Sequence, residues 1–122
     1  GRLVDRLGVR TAGVTAPVAA LSGGNAQKLV LARELHHDGP LLVVEQPTQG
    51  VDVGAGEQIH RLLLEYRARG GAVLLVSYEI TELRALADRV VVLSGGEVTA
   101  EMDAAEATEE ALGAAMASGA TA

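Results

Sequence analysis

Apolar positions along this chain follow two rhythms, and their order predicts the elements. In residues 54–69, Ile59, Leu62, Leu63 and Tyr66 recur at the i, i+3, i+4, i+7 spacing of one helix face. Gly70-Gly71 closes that helix. An earlier helix is predicted over residues 22–37, opening at Ser22-Gly23-Gly24, with Ala26, Leu29, Val30 and Leu35 as its inward face. Asp38-Gly39-Pro40 stops it. Between the two helices, residues 41–45 form a short unbroken apolar run ending in a carboxylate, the pattern of a parallel strand buried on both faces. Residues 72–77 (AVLLVS) repeat the pattern. A helix over 80–87 and a third apolar run over 90–93 follow. Strand, helix, strand, helix, strand reads as an α/β layer with right-handed crossovers. Gly95-Gly96 turns the chain into a hairpin partner at 97–100, and a last helix covers 108–116 before a small-residue tail expected to fray. The opening segment, to about Val18, carries no such rhythm.

Composition narrows this picture. At 122 residues and 48% hydrophobic, the chain suffices for one domain or one piece of a larger one. Two tyrosines are its only aromatic residues, so the core is built from Leu, Val, Ile and Ala, and stacking platforms for bases are nearly absent. A net charge of −6 gives no basic footprint, so no nucleic-acid partner is expected. The lack of cysteine excludes disulfides and thiolate metal sites. No apolar run approaches the roughly 20 residues that span a bilayer, and the N-terminal order of charged and apolar residues is not that of a signal peptide.

Chemistry concentrates in two stretches. In LSGGNAQK, Leu21 to Lys28, a hydroxyl and two glycines stand where a helix begins, leaving backbone N–H groups uncovered at the positive end of its dipole. Ser22-Gly23-Gly24 alone is an ordinary serine N-cap with turn glycines. Asn25, Gln27 and Lys28 add polar groups, however, and the strand that follows ends in Glu45-Gln46-Pro47-Thr48, then Gly50-Val51-Asp52.

This pair of stretches resembles the ATP-binding cassette (ABC) ATPases, with a signature LSGGQ upstream of a strand ending in Asp-Glu-Pro-Thr-x-Gly-Leu-Asp. LSGGNAQKLVLAREL, QPTQGVDVGA and ATEEALGAAMASG resemble the second cassette of the tandem subunits that energise bacterial import of nucleosides and simple sugars. The glutamine before Pro-Thr favours the nucleoside-type branch. The resemblance implies a partial P-loop NTPase core: a mostly parallel sheet flanked by helices, with signature helix 22–37, Walker B-like strand and D-loop 41–52, switch region 72–78, and C-terminal hairpin and helix 88–117. It further implies that Leu21, Ser22, Gly23, Gly24, Asn25 and Gln27 contact ATP held by an opposing cassette, the N-terminal half of the same subunit. Asp52 matches the D-loop aspartate that couples the two sites; alternatively it caps the helix ahead of it.

Three positions depart from the family. Glu45 stands where Asp usually holds Mg²⁺ through water; the carboxylate remains, one methylene longer. Gln46 replaces the catalytic glutamate, and an amide has no useful basicity near pH 7. Tyr78 occupies the switch-histidine position, where it can donate a hydrogen bond but brings no positive charge. All three fall on one active site, which makes the pair asymmetric: a working site completed by this signature, and a degenerate one of its own.

No GxxxxGK[ST] loop occurs anywhere in the sequence. In the family that loop, and the glutamine-containing loop that touches the membrane subunits, precede the signature. The resemblance therefore implies the C-terminal part of a longer subunit, cytoplasmic and peripheral at the inner face of the membrane, bound to permease subunits, unable to hydrolyse ATP alone. ATP and Mg²⁺ are the expected cofactors of the assembled pair. A non-transport ABC ATPase and a non-catalytic dimerisation module are the competing readings.

Weaker candidates have plainer explanations. His36-His37-Asp38 is a polar helix end, since adjacent side chains on a helix diverge. His60 lies beside its helix's apolar stripe and is expected to be exposed. Asp88-Arg89 matches a structural pair in the family, and Glu106, Glu109 and Glu110 favour a helix start.

Overall fold

The computed structural model describes residues 23–36 and 39–119. Leu21, Ser22, His37 and Asp38 lie outside them, as does the opening segment. The elements in order are α1 (Gly23–His36), β1 (Leu41–Glu45), α2 (Val53–Ala68), β2 (Ala72–Val76), α3 (Ile80–Leu86), β3 (Arg89–Ser94), β4 (Glu97–Asp103), a 3₁₀ turn (Ala104–Glu106) and α4 (Glu109–Ser118). The described residues fall into two compact units, divided between Val76 and Ser77.

In the first unit β1 and β2 run parallel, from Leu41 opposite Ala72 to Glu45 opposite Val76. One backbone bond beyond each end extends the ladder: Ala72 N–H donates to the Pro40 carbonyl and Gln46 N–H to that of Val76. α2 is the helix its spacing predicts, burying Ala55, Gly56, Ile59, Leu63 and Tyr66. It ends in a Schellman motif: Gly71 N–H donates to the Tyr66 carbonyl and Gly70 N–H to that of Arg67, with Gly70 at φ 93°. The Tyr66 hydroxyl donates to the Gly39 carbonyl, tying the end of α2 to the entry of β1.

Two expectations are corrected here. α1 packs on α2 and buries Leu31, Ala32, Asn25 and Lys28, while Val30 is 47% exposed. Residues 29–32 are all apolar, so the sequence permits more than one inward face and packing selects among them. The sheet is also buried on one side only. Leu42 is buried, whereas Leu41, Val43, Leu74 and Val76 on the opposite face are exposed, because α1 and α2 cover a single face.

In the second unit β3 and β4 form an antiparallel hairpin joined by Gly95-Gly96, both at positive φ, the two-residue turn that matches strand twist. A register shift between Val92 and Leu93 leaves Thr99 as the extra residue. Its hydroxyl donates to the Ala115 carbonyl at 2.8 Å, and that of Ser94 to Met116 at 2.7 Å, fastening α4 to the hairpin. Val90, Val92, Ala107 and Leu112 form the core there. Thr108 caps α4, accepting from Ala111 N–H at 3.1 Å. Among the described residues no helix is long and apolar enough to cross a membrane.

Candidate functional site

The described candidate residues of the first unit lie on α1, at the end of β1 and in the segment leading to α2. Gly23 and Gly24 form the first residues of α1, so its N–H groups without intrahelical acceptors belong to this glycine-rich start. Asn25 is only 9% exposed and Lys28 7%, both on the helix face that also buries Leu31 and Ala32. Gln27 is half-buried and reaches across, its Nε2 donating to the Gln46 carbonyl at 3.5 Å.

β1 delivers an exposed Glu45 and then turns sharply. Gln46 has φ 47°, in the left-handed region that L residues seldom occupy, and its side-chain nitrogen is buried. Its carbonyl accepts from Gln49 N–H at 3.2 Å, closing a turn with buried Pro47 at the second position, where its fixed φ suits such turns. Val51 N–H then donates to the Thr48 carbonyl, and Gly50, at φ 74°, lets the chain swing into α2. Asp52 is the N-cap of α2: its Oδ1 accepts from Ala55 N–H at 2.8 Å. The capping expectation for Asp52 therefore holds, and its carboxylate remains exposed beside that bond.

Tyr78 belongs to the second unit and is 81% exposed. Sequence reading missed the pair that holds its loop. Ser77 Oγ donates to Glu82 Oε2 at 2.6 Å and accepts from Glu79 N–H at 3.0 Å, while Glu82 is 3% exposed. The signal was a serine two residues before an N–H it can accept from, a short-range turn motif. His60 is half-buried rather than exposed, because the helix face beside its apolar stripe is partly covered.

The chain is similar to the ribose import ATP-binding protein RbsA 2 of Rhizobium meliloti, with 46% identity over 110 residues, covering 90% of this chain and 22% of the relative. It is similar to the arabinose import ATP-binding protein AraG of Ralstonia nicotianae at 44% over 110 residues, 89% of this chain and 22% of the relative. Among solved structures, the ATP-binding cassette MJ0796, in a dimeric post-hydrolysis state bound to ADP and Pi, matches with a TM-score of 0.74 at 28% identity, over 84% of this chain and 44% of that one. Over the parts it spans, the chain is similar in sequence to ATP-binding proteins of sugar importers and in fold to an ATP-binding cassette. An inward-facing metal-chelate-type ABC transporter matches with a TM-score of 0.79 at 18% identity, over 94% of this chain and 46% of that one, a likeness of fold alone. No family model matches. The chain spans about a fifth of the length of the curated relatives it matches.

The α/β cassette fold expected from the sequence is thus the fold found. Glu45 is one exposed carboxylate, and among the described residues no group of three or more His, Asp or Glu side chains could hold a metal.

Proposed function

We propose that the chain is the C-terminal part of a cassette in the ATP-binding subunit of an ABC importer for a simple sugar. Similarity to ribose and arabinose import ATP-binding proteins supports the sugar over the nucleoside expected from the sequence. In this reading Leu21, Ser22, Gly23 and Gly24, with Asn25 and Gln27 behind them, complete the ATP site of an opposing cassette. That cassette is the N-terminal half of the same subunit, and permease subunits hold the pair at the cytoplasmic face of the membrane. ATP with Mg²⁺ binds between the cassettes, and the rest of this cassette covers the exposed face of β1 and β2.

The observation that carries the asymmetry is the residue at the end of β1. Gln46 occupies the place of the catalytic base with an amide that cannot take a proton from water near pH 7. Glu45 would contribute one oxygen to Mg²⁺ at that end of β1; Tyr78, in the second unit, has a hydroxyl that donates but carries no positive charge. Such a site binds nucleotide better than it turns it over. Steady-state ATPase of a complete subunit carrying these residues tests the proposal. Ser22→Arg, at the working site, removes most activity, and Gln46→Ala changes it little. Loss of turnover in Gln46→Ala would overturn the assignment, as would full activity in Ser22→Arg.

A further inference from the structure

We infer that Gln27 is a positioning residue that ties α1 to the turn at the end of β1 and holds the Gln46 backbone in its left-handed conformation. The contact stands on geometry; only its bearing on a nucleotide site rests on the proposed function. Among the described residues Gln46 is the sole non-glycine at positive φ. A β-carbon in that region carries a steric cost, and the conformation persists where several contacts over-determine it. Three do so here. Its N–H donates to the Val76 carbonyl at 2.8 Å, the last rung of the parallel ladder, and its carbonyl accepts from Gln49 N–H at 3.2 Å. The same carbonyl accepts from Gln27 Nε2 at 3.5 Å, a contact longer than the usual range of about 2.7–3.2 Å for an N–H···O bond, across a sequence separation of 19. Two lone pairs allow both bonds at once.

The first two contacts belong to the strand and the turn themselves; the third comes from α1. Gln27 reaches from a fixed base, because Leu31 and Ala32 one turn on are buried. A shift of α1, whose first residues are Gly23 and Gly24, therefore moves the Gln46 carbonyl. The Gln46–Gln49 and Thr48–Val51 bonds then carry the shift toward Asp52.

Amide hydrogen exchange on the full-length protein that carries these residues tests this without nucleotide, so the outcome is independent of the proposed function. Gln27→Glu is nearly isosteric but, ionised at pH 7, has no donor; protonated below a carboxyl pKa of about 4.3, it regains one. Gln27→Met keeps the shape and never has a donor. Relative to the unsubstituted chain at the same pH, exchange at the Gln46 and Gln49 amides should rise about two- to tenfold in both variants at pH 7, the effect of one net hydrogen bond. At pH 4 the ratio should return toward one in Gln27→Glu and stay raised in Gln27→Met. A ratio of one in both variants at pH 7 would overturn the inference. So would a rise in Gln27→Glu that does not fall at pH 4, or one spread evenly over α1 and α2.

Discussion

Replacing Asp52 by alanine removes the acceptor that holds Ala55 N–H at 2.8 Å and leaves the first turn of α2 to water. N-cap losses of this kind cost about 1 kcal/mol, within a range of 0.5–2. The consequence is not confined to the helix end, because α2 carries Ile59, Leu63 and Tyr66 into the core of the first unit. For a chain of this size 1 kcal/mol lowers Tm by roughly 3–6 °C. Asparagine caps as well as aspartate, so Asp52→Asn should unfold with the unsubstituted chain in thermal and urea denaturation while Asp52→Ala unfolds earlier. The pair also separates capping from the D-loop role. If the negative charge couples two sites across a cassette pair, Asp52→Asn in a complete subunit keeps stability and loses ATPase activity. Equal destabilisation by asparagine and alanine would refute the capping argument, since only the acceptor geometry is preserved in the former.

Leu112, fully buried against Val90, Val92 and Ala107, should cost about 2–5 kcal/mol on truncation to alanine, read as a lower urea midpoint at unchanged slope. A loss below about 1 kcal/mol would mean that α4 does not seal that core. Gly71→Ala places a methyl group into the Tyr66 ring, which its hydroxyl bond to Gly39 and its burial keep from swinging aside. Overpacking of this type costs about 1–3 kcal/mol, so a thermal midpoint equal to that of the unsubstituted chain would show that the ring relocates freely.

Much of the fold was legible along the chain because its signals are local. The spacing of Ile59, Leu63 and Tyr66, the apolar runs at 41–45 and 72–76, and the paired glycines at 70–71 and 95–96 act within a few residues, and the elements fall within a few residues of their predicted bounds. The candidate positions were legible too, through residue types at fixed spacing: the glycine pair at the start of α1, the carboxylate and amide at the end of β1, the aspartate before α2.

What the sequence by itself could not decide was direction. Four consecutive apolar residues in α1 satisfy several helix faces, and packing against α2 chose the one that buries Asn25 and Lys28 and leaves Val30 exposed. An unbroken apolar strand looks the same whether one face or both are covered, and only the arrangement of α1 and α2 left Val43 and Leu74 in solvent. No local rule predicts a left-handed glutamine, because three long- and short-range hydrogen bonds together impose it. Sequence thus determined which elements and which chemical groups this cassette portion contains. Tertiary structure decided which way they face, since burial is a property of the neighbours and not of the residue.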